Sequence, residues 1–448
     1  MKTLFFVILV IAGSTSGSTM PFSDRTAGSE TGLKSPGGSK ILTDWMNVHL
    51  TAIRNSKIPS HHTRQLAYMG VALYESVVAG DPDYQSLAGQ LNGYNTSPEL
   101  PRETDFCWQA SANAALAETF RYFYADNAVT LQRVDSMEQT CRRQLINKGF
   151  SMKAVSAGAQ YGLLVARAVI DWSKTDGDDK SGAPYVLPKG PGLYEPTPPA
   201  FISPILPFLG NCRTFVRGSI DNTSPPPPVS FSGDQQSPFY KMVDEVYRTS
   251  LQNDPEKVAT ALFWDDFPDR RTLTGGGHWE SILITIMGQL NMSLIEGARV
   301  YAGLFITMQD AAIGCFKAKY SYNLLRPVTY IQKYMHKSDW KSLIVTPPHP
   351  EYPAAHAVVS MSAATILAHI LGNEVAFTDN TYAYRQYPAH RFNNFTEAGR
   401  EAGMSRFYGG IHYLPSIEAG FTQGEMIANN IDKGLVFTKD DNMSSGKR

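Results

Sequence analysis

Apolar residues recur every three or four positions along most of the chain, which is the spacing of an amphipathic helix. The pattern is clear from Ile41 to Leu50 and from Leu66 to Val77. It continues in the segments 107–124, 128–148, 152–173, 237–252, 276–292, 295–319, 355–371, 395–408 and 416–433. Alternating patterns typical of strands are scarce. The sequence therefore predicts an all-α protein built of helical bundles.

The helical pattern stops between residues 176 and 234, where Pro196-Thr-Pro-Pro and the run from Pro225 to Pro228 break regular elements. We therefore predict an N-terminal helical bundle over 41–175, a Pro/Gly-rich connecting segment over 176–234 and a C-terminal bundle over 235–436. A long irregular segment usually wraps a surface, frames a site or links bundles. The acidic cluster 176–179 lacks the full spacing of a calcium loop, so we interpret it as a solvated turn.

The first residues are typical of a signal peptide, which we place at 1–18. Lys2 precedes an apolar run from Leu4 to Ala12, and small residues follow it. This run is too short to span a bilayer, and no later segment is apolar enough to do so. The Gly/Ser/Thr-rich segment 19–40 is predicted to be flexible. We expect an exported protein, periplasmic or secreted, without a membrane span.

Composition narrows the class of partner. The formal charge of −1 over 448 residues argues against a nucleic-acid binder, which needs a basic surface. The cysteines, Cys107, Cys141, Cys212 and Cys315, show no metal-binding spacing. Export would allow up to two disulfides among them, but buried free thiols fit the sequence equally well.

The candidate functional residues lie between residues 319 and 412. Three short segments carry it: 319–327 with Lys319 and Arg326, 347–356 with His349 and His356, and 405–412 with Arg406 and His412. Arginine and lysine hold tetrahedral oxyanions, and histidine serves as nucleophile, ligand or proton carrier. These segments predict a site for phosphate or a similar oxyanion.

Local spacing indicates how each segment contributes. Arg326 follows Lys319 by seven positions, so we expect them to share a helix face near the end of that helix. Pro353-Ala-Ala-His introduces the next helix, whose first backbone N–H groups, including that of Ala355, would face an anion. Gly409-Gly410 is expected to bend the chain and turn His412 back toward Arg406.

The order Lys-x6-Arg-Pro, Pro-Ala-Ala-His and Ser-Arg-x5-His resembles the three-part signature of the vanadium-dependent haloperoxidases. The type 2 phosphatidic acid phosphatases and bacterial acid phosphatases share this signature. The length, the expected export and the segments around Asp310 and 413–420 resemble the bacterial haloperoxidase branch. The resemblance implies the helical-bundle fold of that superfamily.

The resemblance also implies a role for each residue. Lys319, Arg326 and Arg406 would neutralise the equatorial oxygens of one vanadate per chain, with a backbone N–H at Ala355 as a further donor. His412 would bond the vanadium axially. His356 would act as acid or base near the other apical oxygen. The substrates implied are hydrogen peroxide and a halide, with hypohalous acid as product.

The chain departs from the family pattern at Ala354, Ala355, Ser416 and Phe316, and His349 bears on the choice of halide. Ala354 replaces a serine that usually donates to the anion. Ser416 stands where an acidic residue commonly follows the last histidine, so no carboxylate from that position would orient His412. Phe316 replaces a tryptophan. His349 falls where bromoperoxidases carry a histidine and chloroperoxidases an aromatic residue, which favours bromide or iodide over chloride.

Three functions remain open from the sequence. The favoured one is a haloperoxidase, and the first alternative is an acid phosphatase without a cofactor that acts on a phosphate monoester. In the phosphatase, His412 would form a phosphohistidine and His356 would protonate the leaving alcohol. The second alternative is an oxyanion-binding protein without turnover. Asp265 or Asp266 would supply a carboxylate to orient His356, although a helix cap is the commoner role for such residues.

Overall fold

The computed structural model describes residues 33–55, 62–101, 105–265, 272–273 and 275–439; residues 1–18, predicted to be a signal peptide, and residues 19–32 lie outside these ranges. Within them, the chain forms thirteen α-helices and one two-stranded antiparallel sheet. In chain order they are α1 Lys40–Asn55, α2 His62–Val78, α3 Trp108–Phe123, α4 Ala128–Asn147, α5 Met152–Ser173, α6 Pro238–Gln252, α7 Pro255–Phe263, α8 Gly275–Gln289, α9 Leu294–Tyr322, α10 Pro327–Lys333, α11 Ala355–Leu371, β1 Phe377–Asp379, β2 His390–Phe392, α12 Phe395–Tyr408 and α13 Leu414–Gly434.

The predicted all-α class is confirmed. The strands were not predicted: β1 pairs with β2 in a short hairpin, with Phe377 opposite Phe392. Each strand has three residues, which is too short to show an alternating pattern in the sequence.

Helix α9 is the centre of the fold. It has 29 residues and is buried along most of its length. The Ser293 hydroxyl and the Glu296 carboxylate cap its start reciprocally. A helix that is apolar on all sides has to be enclosed by other elements. Helix α9 packs against α2 from the first half of the chain and against α11 and α13 from the second half, so the two halves share one hydrophobic core.

The end of α9 and the start of α11 are held together by α13. A side chain at Gly424 of α13 would place its Cβ 2.2 Å from the Val358 carbonyl oxygen of α11. Only glycine allows this approach of the two helices. Because α11 begins beside the oxyanion candidates, this contact also positions the start of that helix.

The predicted flexibility of segment 19–40 is wrong for residues 33–40. Leu33 is only 1% exposed. The backbone N–H of Gly37 donates to the Asn291 carbonyl at 3.0 Å, and that of Ser39 donates to the Met292 carbonyl at 3.1 Å. These contacts fasten the segment to the turn between α8 and α9.

The interpretation of 176–179 as a solvated turn is wrong for Asp176, which is buried. Its carboxylate accepts from Arg64 Nε at 2.7 Å and from the Tyr68 hydroxyl at 2.9 Å. Asp176 therefore anchors the beginning of the connecting segment to α2.

A second anchor is Asp310, in the buried middle of α9. Its carboxylate accepts from the backbone N–H of Phe215 at 2.7 Å and of Val216 at 3.0 Å, and from the Ser219 hydroxyl at 2.7 Å. One side chain of the central helix therefore fixes a turn of the connecting segment.

Replacement of Asp310 by alanine should lower the free energy of unfolding by about 3 kcal/mol, because three buried donors lose their acceptor. Urea-induced unfolding measures this. Ser219→Ala is the matched control, since it removes one donor and leaves the carboxylate; a loss of about 1 kcal/mol is expected. Equal losses in both variants would contradict the role assigned to the carboxylate.

All four cysteines are buried and unpaired. The alternative of buried free thiols is therefore the one observed. No helix in the described ranges is long and apolar enough to cross a membrane.

Candidate active site

Lys319 lies in the last turn of α9 and is fully buried. Its Nζ donates to the carbonyl oxygens of Pro350 at 2.8 Å and Glu351 at 2.9 Å. An ammonium group has a further N–H beyond these two, which is available to another acceptor. Burial lowers the pKa of Lys319, and the nearby Arg326 guanidinium lowers it further.

The expectation that Lys319 and Arg326 share a helix face is wrong. Helix α9 ends at Tyr322, and Asn323 follows in a left-handed conformation with φ 47°. Arg326 is the N-cap residue of α10, in extended conformation before Pro327. The two cations still converge, because both side chains reach the loop 347–351.

The Arg326 guanidinium joins this loop to the turn after α12. Its Nε donates to the His349 carbonyl at 3.0 Å, and its Nη2 contacts the Pro347 carbonyl at 3.3 Å and His349 Nδ1 at 3.1 Å. Its Nη1 donates to the Ile411 carbonyl at 2.9 Å and contacts His412 Nε2 at 3.0 Å. These contacts fix the fully buried guanidinium between the loop and the turn.

His412 lies where the sequence predicted a bend. Gly409 caps α12, and Gly410 has φ 76°, which favours glycine. The His412 Nδ1 is 2.7 Å from Glu351 Oε1, while Nε2 faces Arg326. Since arginine can only donate, Nε2 accepts and Nδ1 carries the proton.

The hydrogen bond from Arg326 to Nε2 requires a neutral His412 ring. Burial lowers its pKa well below the ordinary value, and the charges of Arg326 and Lys319 lower it further. A neutral imidazole with a lone pair on Nε2 is suited to act as a ligand or a nucleophile.

Glu351 was missed by the sequence analysis. It lies 61 positions before His412 and is fully buried. Besides His412, its carboxylate accepts from the Tyr413 backbone N–H at 3.1 Å and from the Ser416 hydroxyl at 2.7 Å. The orienting carboxylate that position 416 lacks is therefore supplied by another segment. The only sequence signal was an acidic residue within the Pro-rich segment between the cations.

Arg406 lies in the last turn of α12 and is 2% exposed. Its Nη1 donates to the Trp264 carbonyl oxygen. Its Nη2 is 3.9 Å from Asp265 Oδ1. Asp265 thus lies beside Arg406; Asp266, the other acid expected to orient His356, is outside the described residues.

Helix α11 begins at Ala355, as predicted. Ala354 is its N-cap residue, fully buried and without a side-chain cap. Its backbone N–H donates to the Ser416 carbonyl at 3.1 Å, which ties the helix start to α13. The first N–H groups of an α-helix, here starting with Ala355, have no partner within the helix. His356 follows in this first turn and is half-buried.

His349 and Phe316 form one side of the site. Their ring centroids are 5.2 Å apart, and both residues are buried. Burial lowers the pKa of His349 well below its ordinary value, and the charges of Lys319, Arg326 and His356 act in the same direction. His349 Nδ1 lies 3.1 Å from Arg326 Nη2, and His356 is close enough to influence His349 electrostatically.

The donor set fits an oxyanion. Lys319, Arg326 and Arg406 are buried cations, while the described carboxylates beside them are Glu351, which binds His412, and Asp265, at 3.9 Å from Arg406. Buried guanidinium and ammonium groups bind oxyanions through charge-assisted hydrogen bonds. A phosphate-like anion matches two guanidinium groups, an ammonium and a helix start.

Comparison with known proteins agrees with this geometry. Residues 299–435 match the family described as the VCPO second helical-bundle domain. A bacterial vanadium-dependent iodoperoxidase superposes with a TM-score of 0.79 at 32% identity, covering 90% of this chain and 98% of its own. No curated protein matches the sequence.

Two structures of bacterial vanadium-dependent chloroperoxidase share the fold at lower identity. The apo form has a TM-score of 0.64 at 15% identity and covers 84% of this chain and 92% of its own. The holo form has a TM-score of 0.63 at 14% identity and covers 92% of this chain and 95% of its own. With the iodoperoxidase match and the site geometry, these findings show that the chain is an enzyme of the vanadium-dependent haloperoxidase family.

Proposed function

We propose that this haloperoxidase binds one vanadate between Lys319, Arg326, Arg406 and His412, and uses hydrogen peroxide to oxidise iodide or bromide to hypohalous acid. The observation that carries the proposal is the contact between His412 Nε2 and the Arg326 guanidinium at 3.0 Å, which places a nitrogen lone pair beside a buried cation. Such an arrangement binds a tetrahedral oxyanion through one nitrogen and neutralises its oxygens.

The cations are arranged to hold the anion when His412 becomes a ligand. Donation of the Nε2 lone pair to another atom releases the Arg326 Nη1–H that now contacts it. That N–H, the remaining N–H of Lys319 and the Arg406 guanidinium can then bind oxygens of the anion. The backbone N–H of Ala355 at the start of α11 adds a neutral donor.

Vanadate held by these residues would supply Lewis-acid chemistry that activates hydrogen peroxide toward the halide. We assign to His356, in the first turn of α11, the holding and return of the proton that moves during the reaction. In balance, hydrogen peroxide, a halide ion and a proton give hypohalous acid and water. Lys319, Arg326 and Arg406 stabilise negative charge throughout from fixed positions.

Iodide and bromide are favoured over chloride by two observations. His349 lies against Phe316 and touches Arg326, so a histidine lines the site where the sequence pattern favoured these halides. The structural relative that is 32% identical is an iodoperoxidase. Both halides are also easier to oxidise than chloride.

We further propose that the protein is exported to the periplasm or the medium. The support is the sequence of the first residues, in which Lys2 precedes an apolar run and small residues follow.

The test of the proposed function compares two forms of the protein. Vanadate-reconstituted protein should oxidise iodide and bromide with hydrogen peroxide, followed as triiodide formation and as bromination of a dye. Vanadium-free protein should show neither activity. The same vanadium-free protein is then assayed on p-nitrophenyl phosphate.

The alternatives give different results. Phosphate release without halide oxidation would identify the acid phosphatase and contradict the proposal. Vanadate binding with neither activity would identify a non-catalytic oxyanion-binding protein. Faster oxidation of chloride than of iodide would contradict only the proposed halide preference.

A further inference from the structure

We propose that a cavity beside α7 binds an electron-rich phenol, which is halogenated there by hypohalous acid from the vanadate site, with His390 as the base. The inference rests on the proposed function for the source of the hypohalous acid. The binding of a phenol in the cavity is a property of the chain itself, with or without vanadate.

The cavity has a volume of about 410 Å³ and lies between one face of α7 and the segment that leads into β2. Its lining includes Val258, Ala259 and Leu262 on the first side and Tyr387, Pro388 and His390 on the second. Sites for small molecules are typically cavities of roughly 300–1,000 Å³, mostly apolar, with a few polar groups that fix the ligand. The size and the lining therefore fit a small aromatic molecule that also makes a polar contact with His390.

The geometry of His390 suits this contact. Its Nδ1 lies 2.6 Å from Glu401 Oε1, and its ring stacks on Phe263 with the centroids 3.7 Å apart. Because a carboxylate accepts, the neutral ring carries its proton on Nδ1 and a lone pair on Nε2. Nε2 has no hydrogen-bond partner among the residues that the structure describes. The ring is thus held in place, with one nitrogen available to a ligand that donates a hydrogen bond.

A histidine–carboxylate pair is often only a structural contact, and the chain has others. His49 lies 2.6 Å from Glu280, and its side chain is 0% exposed. His278 lies 2.7 Å from Asp379, and its side chain is 2% exposed. The His390 side chain is 18% exposed and lines the cavity. A ligand can therefore reach His390, whereas the other two histidines are enclosed in the core.

The cavity is linked to the proposed vanadate site by two hydrogen bonds. Glu401 Oε1, which holds His390, also accepts from Trp264 Nε1 at 2.9 Å. The carbonyl oxygen of Trp264 accepts from Arg406 Nη1. Glu401 and Trp264 thus connect the histidine of the cavity to a cation of the anion site. A phenol bound so close to the source of hypohalous acid meets it at a high effective concentration.

A phenol is the class of ligand that fits both the free nitrogen and the reaction. Its O–H donates to His390 Nε2, and its ring packs against the apolar lining. As the phenolic proton moves to Nε2, the ring attacks the halogen, so that a carbon–halogen bond forms and the oxygen–halogen bond breaks. The departing hydroxide takes the proton lost from the ring carbon, and Nε2 returns its proton to the phenol oxygen. Phenol and hypohalous acid thus give a halogenated phenol and water.

The first measurement is binding to vanadium-free protein, followed by NMR titration with p-cresol and with p-methylanisole. Both probes carry the same aromatic ring, but only p-cresol has an O–H to donate. His390→Phe keeps a ring on Phe263 and removes the nitrogen. We expect this variant to lose affinity for p-cresol relative to p-methylanisole by roughly two- to tenfold, the effect of one neutral hydrogen bond.

Two further variants serve as controls for binding. Ala259 is exposed on α7 and lines the cavity, so Ala259→Phe fills the cavity without disturbing the core. It should abolish binding of both probes. His369 on α11 is partly exposed and lies 3.4 Å from Asp432, so His369→Phe removes a surface histidine–carboxylate pair. It should bind both probes as the wild type does.

The second measurement is the partition of hypobromous acid between two acceptors. Reconstituted protein with bromide and hydrogen peroxide is given p-cresol and taurine, a charged amine that does not suit an apolar cavity. The wild type should direct a larger share of the bromine to p-cresol than hypobromous acid added directly does. Ala259→Phe should return this share to the value for added hypobromous acid. Since the share is a ratio, it is independent of the rate of bromide oxidation.

Three results would overturn the inference: equal probe ratios in the wild type and in His390→Phe, binding that survives Ala259→Phe, or a wild-type share equal to that of added hypobromous acid. If His390→Phe does not fold, Ala259→Phe decides through binding and through the share. Failure of the proposed function looks different. The vanadium-free protein would then bind p-cresol as expected, but the reconstituted protein would not oxidise bromide.

Discussion

Replacement of His412 by alanine is expected to lower halide oxidation by about a thousandfold, the upper end of the effect of losing one preorganised group of an active site. The neutral ring is fixed between Arg326 and Glu351, and no other described side chain offers a nitrogen in that position. The three cations would remain, so weak anion binding should persist. Iodide oxidation at saturating vanadate measures the rate.

His369→Ala is the matched control, because His369 is partly exposed near the end of α11 and pairs with Asp432. It should keep wild-type activity. Wild-type rates of iodide or bromide oxidation in His412→Ala would exclude His412 as the vanadium ligand.

Replacement of Arg406 by alanine should abolish vanadate retention. Arg406 is 2% exposed, so its charge is not replaced by solvent when the side chain is removed. Loss of one partner of a buried charge pair costs about 3 kcal/mol or more of binding free energy. This corresponds to a decrease in vanadate affinity of about a hundredfold or more. Equilibrium dialysis against orthovanadate measures the loss.

Arg400→Ala provides the control on the same helix. Arg400 is exposed and lies over the Phe421 ring at 5.2 Å. It should bind vanadate as the wild type does. Equal affinity in Arg406→Ala and the wild type would mean that the anion does not bind beside α12.

The helices could be read from the sequence because their apolar periodicity is strong. The predicted bounds 152–173, 355–371 and 395–408 coincide with α5, α11 and α12. The bend after α12 was also predictable, because Gly409-Gly410 interrupts a helical pattern next to His412. These features depend on local interactions, which spacing and residue type reveal.

The relation between Lys319 and Arg326 was not predictable from spacing. Their separation fits two helical turns, but Asn323 takes a left-handed conformation that ends α9 between them. Asparagine adopts this conformation more readily than most residues, yet it also occurs within helices. The convergence of the cations depends instead on the loop 347–351, whose path is set by tertiary contacts.

Glu351 was overlooked for a similar reason. Its contacts join residues far apart in the chain, and no periodic pattern marks a pair such as Glu351 and Ser416. Asp176 and the segment 33–40 also depend on distant partners, Arg64 for the first and the turn before α9 for the second. Their composition predicts solvent exposure for both Asp176 and the segment 33–40. The domain limits, the export signal and the halide preference stay predictions.

The most direct test of the account is a crystal structure of the protein with orthovanadate, using anomalous scattering at the vanadium edge. The account predicts one anomalous peak per chain, bonded to Nε2 of His412, with oxygens contacting Lys319, Arg326 and Arg406. Nδ1 of His412 should remain on Glu351. A peak elsewhere, or vanadate bound without contact to His412, would contradict it.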